Sequence, residues 1–381
     1  MSFTFTTAQR VVFGPGAVRQ LPGIVTGYGS RVFLVLDTHI DTDGDLVTGV
    51  GDERLLWPTQ GEPTVTGIER AVAAASEFGP DVIVGIGGGS VVDTAKAVGI
   101  LLGNGGAPLD YLEVVGAGKP LTAGSLPVIA VPTTAGTGAE VTANTPIFSP
   151  EHKVKASLRS PAMIPAVALV DPELTVGCPP AVTASAGLDA LTQCLEPLTS
   201  CKANDFTDLL AREGLRRAAL GLRAAYADGS DVAARTDMSM CSLLGGMALA
   251  NAKLGAVHGL AAPLGGMTGG AHGEVCAAVL AACTRANIAA LTERDPGNPA
   301  LERYAEAARI LTGDPAAKPA DGIAWIAETV SLLGVRTLSR LGLTAEQIPD
   351  AVKQGLAASS MKGNPIVLTE AEVTRIVEES M

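Results

Sequence analysis

Residues 81–99 read DVIVGIGGGSVVDTAKAVG, and the order of parts in that stretch decides the fold class. An apolar run comes first, then a glycine turn, then a helical pattern. The run Asp81–Ile86 is continuous rather than alternating, as expected of a strand buried on both faces in a parallel sheet covered by helices. Gly87, Gly88 and Gly89 remove every Cβ where the chain turns, so a ligand can approach the backbone closely. Free amides and the dipole at the start of the following helix favour a phosphate there. The spacing Gly85-x-Gly87-x-x-Ser90 departs from the usual dinucleotide fingerprint, because serine stands where the third glycine belongs; nor does a GK[ST] follow, as in a P-loop. A helix start with a capping box between Ser90 and Asp93 accounts for the same residues without any ligand.

Working outward, similar apolar runs occur at Arg31–Leu36 (RVFLVL), Pro127–Val131 (PVIAV) and Ala166–Val170 (AVALV). Interleaved with helical patterns, they predict an α/β domain with a parallel sheet over residues 1–175. From about Pro179 the β-branched runs fade into Ala- and Leu-rich stretches, and Pro179–Pro180 ahead of Ala181–Leu198 marks a helix start. Residues 176–381 are therefore expected to form an all-α domain, and two domains suit a chain of 381 residues.

Composition removes several classes of function. With 47% hydrophobic and 17% charged residues the chain is not disordered. The balance 27 − 39 = −12, without a Lys/Arg run, lacks the footprint that phosphate-backbone binding needs, so no nucleic-acid partner is expected. Residues 254–273 carry no charged side chain and are long enough to span a bilayer. Their seven glycines, one proline and two histidines instead predict backbone bending around a buried polar site, and no membrane partner. The first residues show no signal peptide, and the six cysteines show no CxxC pairing; both predict a cytoplasmic protein with reduced thiols.

A second polar turn, PTTAGTGAE (132–140), follows the Pro127–Val131 run directly. It supplies the hydroxyls of Thr133, Thr134 and Thr137, and Thr137-x-x-Glu140 is a further possible cap. Two such turns converge at the carboxyl edge of a parallel sheet, where nucleotides bind. Asp37, ending the Arg31–Leu36 run, can accept both ribose hydroxyls and repel a 2′-phosphate, which favours NAD over NADP; a plain turn residue is the alternative. His39 reads as surface loop. In the helical half, Asp189 and Gln193 lie four apart and share a helix face among apolar neighbours, so the carboxylate needs a partner. His258 and His272 are the only histidines of that half. One Asp and two His make an open shell for a divalent transition metal, unless both histidines are satisfied locally.

The stretches GGGSVVDTAKAVG (87–99), PTTAGTGAEVT (132–142), KASLRSPAMIPAVALVDPELT (155–175), GLDALTQCLEPLTS (187–200), HGLAAPLGG…AHG (258–273) and SSMKGNP (359–365), in that order, resemble the iron-containing (group III) alcohol dehydrogenases. The resemblance implies a Rossmann-like domain followed by an all-α domain, the fold shared with dehydroquinate synthase. It implies NAD, a divalent metal such as Fe or Zn, hydride exchange between an alcohol and its aldehyde or ketone, and a homodimer. Position by position, Asp37 matches the ribose-binding acid. Gly88, Gly89 and Ser90, with Asp93 beside them, match the pyrophosphate turn; Thr133, Thr134 and Thr137 match the second turn. Asn144 and Lys155 match positions on the nicotinamide side, and Lys155 is carried as catalytic too. Asp189, His258 and His272 match three of four metal ligands and are the expected catalytic centre.

Gln193 is carried as the remaining metal residue, with Asp189, His258 and His272; it stands where a histidine ligand is usual, and Ala262 stands where many members have a proton-shuttling histidine. Competing readings are a metal-free reductase resembling maleylacetate reductase, which would use Lys155 or Arg159 to hold an anionic substrate, and a dehydroquinate synthase-like lyase. A nucleotide-binding protein without catalysis is the non-enzymatic alternative.

Overall fold

In the computed structural model, which describes residues 3–152 and 154–381, the strands in chain order are β1 (Arg10–Phe13), β2 (Arg31–Asp37), β3 (Glu53–Thr59), β4 (Val82–Gly87), β5 (Val128–Pro132), β6 (Asn144–Ser149), β7 (Val154–Arg159) and β8 (Val167–Val170). The four apolar runs are β2, β4, β5 and β8. They lie in a six-stranded sheet of order β1-β8-β5-β4-β2-β3, every pairing of which is parallel. Side chains alternate between its faces. Val32, Leu34, Leu36, Val84 and Ile86 pack into one buried layer, while Phe33, Val35, Ile83 and Val128 pack into the other. Chain order reverses between β2 and β4, so the sheet has a switch point at the ends that carry Asp37 and Gly87.

Four strands escape the apolar-run pattern. β1 and β3 are the sheet edges and only partly buried, so they need no continuous apolar run, and Pro58 is tolerated in β3 because an edge strand has unpaired groups. β6 and β7 form a separate antiparallel pair.

Two compact units are present. One contains the sheet, residues 6–134 and 138–175; the other contains Val176–Met381. Two pieces ahead of residue 176 also cluster with the helical unit, namely the segment ending at Phe5 and Ala135–Thr137. Phe5 meets Phe206 edge to face at 4.6 Å, and a Cβ on Gly136 would sit 2.8 Å from that of Ala186. Those contacts assign the pieces.

The helical unit begins with the Pro180–Thr199 helix, where Pro180 occupies the first turn as the sequence predicts. Asp205–Ala227 starts at Asn204, whose side chain accepts from the amides of Phe206 and Thr207 at 3.1 Å. Val232–Ala252 starts at Asp231, which caps Ala233 and Ala234 in the same manner. The charge-free stretch is bent, as expected. It becomes the Ala256–Thr268 helix, a break at Gly269 in the left-handed region, and the start of the His272–Arg294 helix. The latter is long and apolar enough to cross a membrane, but 61% of its most apolar window is buried inside the protein, as in the central helix of a folded core.

Candidate active site

Three helices bring the predicted metal residues together. The Pro180–Thr199 helix presents Asp189, Gln193 and Glu196 at intervals of four and three, all on one buried face. His258 lies in the first turn of Ala256–Thr268, and His272 opens the next helix with Cys276 four residues on. The ligand atoms of Asp189, His258, His272 and Cys276 all lie within 4.8 Å of one another. Close approach of two of these helices depends on Gly273, where a Cβ would stand 2.3 Å from the Ser185 carbonyl oxygen.

The hydrogen bonds orient this group. Glu196 Oε2 lies 2.7 Å from His258 Nδ1, and its Oε1 accepts from the Val257 amide at 2.7 Å. A proton on Nδ1 leaves the Nε2 lone pair facing inward. His258 Nε2 is 3.2 Å from Asp189 Oδ1, yet neither atom has an aligned hydrogen-bond partner. Gln193 donates through Nε2 to Asp189 Oδ2 at 3.0 Å; its Oε1 is also buried and unpartnered. Leaving an atom such as Gln193 Oε1 unsatisfied costs roughly 1–3 kcal/mol. A divalent cation would satisfy this oxygen and nitrogen set, so the residues fit the metal that the sequence predicts.

Electrostatics agree with a mutually coupled cluster. Burial pushes the Asp189 carboxyl up, but the adjoining imidazoles of His258 and His272 reverse this and hold it below its ordinary value. Burial opposes protonation of His258, and the surrounding Cys276, Asp189 and Glu196 raise it well above the ordinary imidazole range. The Cys276 charge raises His272 likewise. Burial pushes the Cys276 thiol up, and the two histidines bring it below its usual value. His272, with a side chain 36% exposed, is the open flank of a cluster whose other histidine is 6% exposed.

Glu196 and Cys276 were not singled out from the sequence. Both carried a legible signal: Glu196 continues the Asp189–Gln193 face by one more turn, and Cys276 is one turn beyond His272. Asn364, from SSMKGNP, accepts from the Ala256 amide and pairs with Asn287, which fixes the start of the helix bearing His258.

Within the α/β unit, the two polar turns stand side by side at the carboxyl ends of β4 and β5. Thr133 donates its amide to the Gly87 carbonyl at 2.9 Å, and Gly88 faces Thr134. Gly88 has an ordinary φ of −67°, and a Cβ there would meet nothing closer than Thr134 at 3.5 Å. No steric contact demands glycine at 88, which as the N-cap leaves the backbone there open to close approach. Asp37 is at the end of β2, where its Oδ1 accepts from the His39 amide at 2.9 Å. Asn144 begins β6.

Several expectations change here. The capping box of Ser90 and Asp93 does not form: Gly88 is the N-cap, without a side-chain cap, and Ser90 is already inside the helix. Asp93 turns inward because its carboxylate pairs with the fully buried Lys96 at 2.9 Å. Lys96 also donates to the Ala139 carbonyl and to Thr142, tying the helix after the first turn to the end of the second. Thr137 and Glu140 do not cap either, since Gly138 in the left-handed region starts a single 3-10 turn and Glu140 is buried, its carboxyl raised by burial to about 7. Thr137 clusters with the helical unit, unlike Thr133 and Thr134. Lys155, in β7, has its ammonium 2.6 Å from Glu62, and Arg159 pairs with Glu113 at 3.3 Å.

Comparison with known proteins agrees with this arrangement. Residues 8–172 match the family model described as iron-containing alcohol dehydrogenase, and residues 183–381 match that of the C-terminal part of the same family. The chain is 34% identical to alcohol dehydrogenase 4 of Saccharomyces cerevisiae, with 94% of this chain and 89% of the yeast protein covered. It is 34% identical to 4-hydroxybutyrate dehydrogenase of Cupriavidus necator, over 94% and 92% of the two chains. Among solved structures, a 1,3-propanediol oxidoreductase superposes with a TM-score of 0.91 at 30% identity, covering 100% of both chains. A sulfoacetaldehyde reductase from Bifidobacterium kashiwanohense, solved in complex with NAD+, gives 0.87 at 27% identity over 100% and 99%.

Proposed function

Since this chain belongs to the iron-containing alcohol dehydrogenase family and is an alcohol–aldehyde oxidoreductase, we propose that it interconverts a small alcohol and its aldehyde or ketone with NAD(H) and a divalent cation. The observation that carries the metal half is the convergence of the Asp189, His258, His272 and Cys276 ligand atoms within 4.8 Å of one another. The cation, when bound, supplies a Lewis acid for the substrate oxygen, and the nicotinamide takes or gives the hydride. The protein's part is positional. Glu196 keeps the His258 Nε2 lone pair aimed inward, Gln193 steadies the outer oxygen of Asp189, and Gly88 opens the first turn to a pyrophosphate. Asp37 would accept ribose hydroxyls and repel a 2′-phosphate, so NAD rather than NADP is the cofactor of this reading. Ala262 carries no proton, so the hydroxyl proton leaves to water or a ribose hydroxyl.

Lys155 and Arg159, the cations a metal-free reductase would use, each pair with a solvent-exposed carboxylate, Glu62 and Glu113, a weak contact that a bound anion could displace. The unpaired state of the six cysteines supports a cytoplasmic protein, the net charge of −12 argues against nucleic acid as partner, and a homodimer is the family expectation. The test follows NADH absorbance with a panel of simple aldehydes, alongside elemental analysis, before and after chelation. Activity should vanish with the metal and in Asp189→Ala; full turnover in chelated enzyme and in Asp189→Ala would refute the metal-dependent mechanism.

A further inference from the structure

We infer that Cys276 is the remaining protein ligand of the cation, taking the coordination place that Gln193 leaves weak. This rests on the metal-dependent reading above and specifies the ligand set of that same site. Around a tetrahedral ion with the usual bond lengths to nitrogen, oxygen and sulfur, nitrogen and oxygen ligands lie roughly 3.4 Å apart and a nitrogen–sulfur pair roughly 3.6 Å apart. His258 Nε2 and Asp189 Oδ1 are 3.2 Å apart, and His272 Nε2 and Asp189 Oδ1 are 3.9 Å apart. Cys276 Sγ is 3.7 Å from His272 Nε2. These three spacings are close to what a single ion would impose, and all four ligand atoms lie within 4.8 Å of one another. The thiol is fully buried and one helical turn from His272, on the side of the helix that faces the set.

Gln193 is placed for different work. Its amide nitrogen donates to Asp189 Oδ2, which leaves Oδ1 as the oxygen facing the cation; Gln193 thus acts as a positioning residue for that carboxylate. Its own Oε1 is the competing donor. A carboxamide oxygen is a harder ligand than imidazole, whereas a thiolate is soft, so a shell with sulfur selects Zn(II) more strongly than the oxygen alternative does.

Cobalt(II) titration of the chelated, full-length protein tests the assignment without relying on turnover. One equivalent of cobalt should raise a near-ultraviolet thiolate-to-cobalt charge-transfer band. Cys276→Ser should abolish the band while still binding cobalt more weakly, and Gln193→Leu should keep it. Stoichiometric cobalt binding without that band in the unsubstituted protein, or a band surviving in Cys276→Ser, overturns the inference yet leaves metal dependence standing. Failure to bind cobalt, with undiminished turnover after chelation, overturns both.

Discussion

Glu196→Gln is the perturbation whose effect the geometry specifies most closely. The carboxylate accepts on both oxygens, from the Val257 amide and at His258 Nδ1, each at 2.7 Å, in a setting only 7% exposed. A carboxamide has one accepting oxygen. The Val257 N–H cannot become an acceptor, so the oxygen must stay with it and the new NH2 must face Nδ1. His258 can accept that hydrogen bond only by moving its own proton to Nε2, the atom facing Asp189 Oδ1 and the cation position. The fold keeps both hydrogen bonds and loses no volume, but it gives up one of the carboxylates that favour a protonated His258, so the stability of the metal-free variant is measured in parallel. The tautomer needed for coordination is lost. Changes to such an outer hydrogen-bond partner cost about 10–100-fold in metal affinity, or about 1.4–2.8 kcal/mol. Competition against a chromophoric chelator measures this directly, with the melting temperature of the chelated variant as the control for folding. An affinity within twofold of the unsubstituted protein would refute the argument that Glu196 sets the His258 tautomer.

Other consequences can be checked with single substitutions. Gly88→Ala places a Cβ no nearer than 3.5 Å to Thr134, so the melting temperature should hold while KM for NAD rises; an unchanged KM would remove the pyrophosphate from that turn. Gly273→Ala must displace the Ser185 carbonyl, which a Cβ would approach to 2.3 Å, and should cost about 1–3 kcal/mol by denaturant titration together with weaker metal binding. Glu140 has a carboxyl raised by burial from 4.5 to about 7, with Lys96 lowering it and Asp93 raising it. The unfolded chain releases that proton first, so stability should fall as pH climbs from 4.5 to about 7 and then level off, a loss of roughly 3 kcal/mol. Glu140→Gln should remove the slope and be the more stable form at pH 8; a parallel pair of stability curves would show that Glu140 does not titrate there.

How far the sequence could be read follows from the range of each interaction. Strands buried on both faces announce themselves through continuous apolar runs, hence the clarity of β2, β4, β5 and β8. Edge strands β1 and β3 are half solvated, and their partners rather than their composition place them in the sheet. Asp189, His258 and His272 were legible because polar side chains in apolar, glycine-rich surroundings are conspicuous. Glu196 was not, since its meaning comes from a histidine 62 residues away. Capping patterns misled at Ser90 and Thr137 because Gly88 and Gly138 begin those turns by backbone conformation alone, and tertiary burial then drew Asp93 and Glu140 inward toward Lys96.

The pairing of β1 with β8 also bears on biosynthesis. Arg10 is matched with Val167, a separation of 167 − 10 = 157 positions. A ribosome must therefore extrude nearly the whole α/β unit before its earliest strand finds a neighbour. Until then that segment has no partner in the sheet, and so distant a pairing closes slowly.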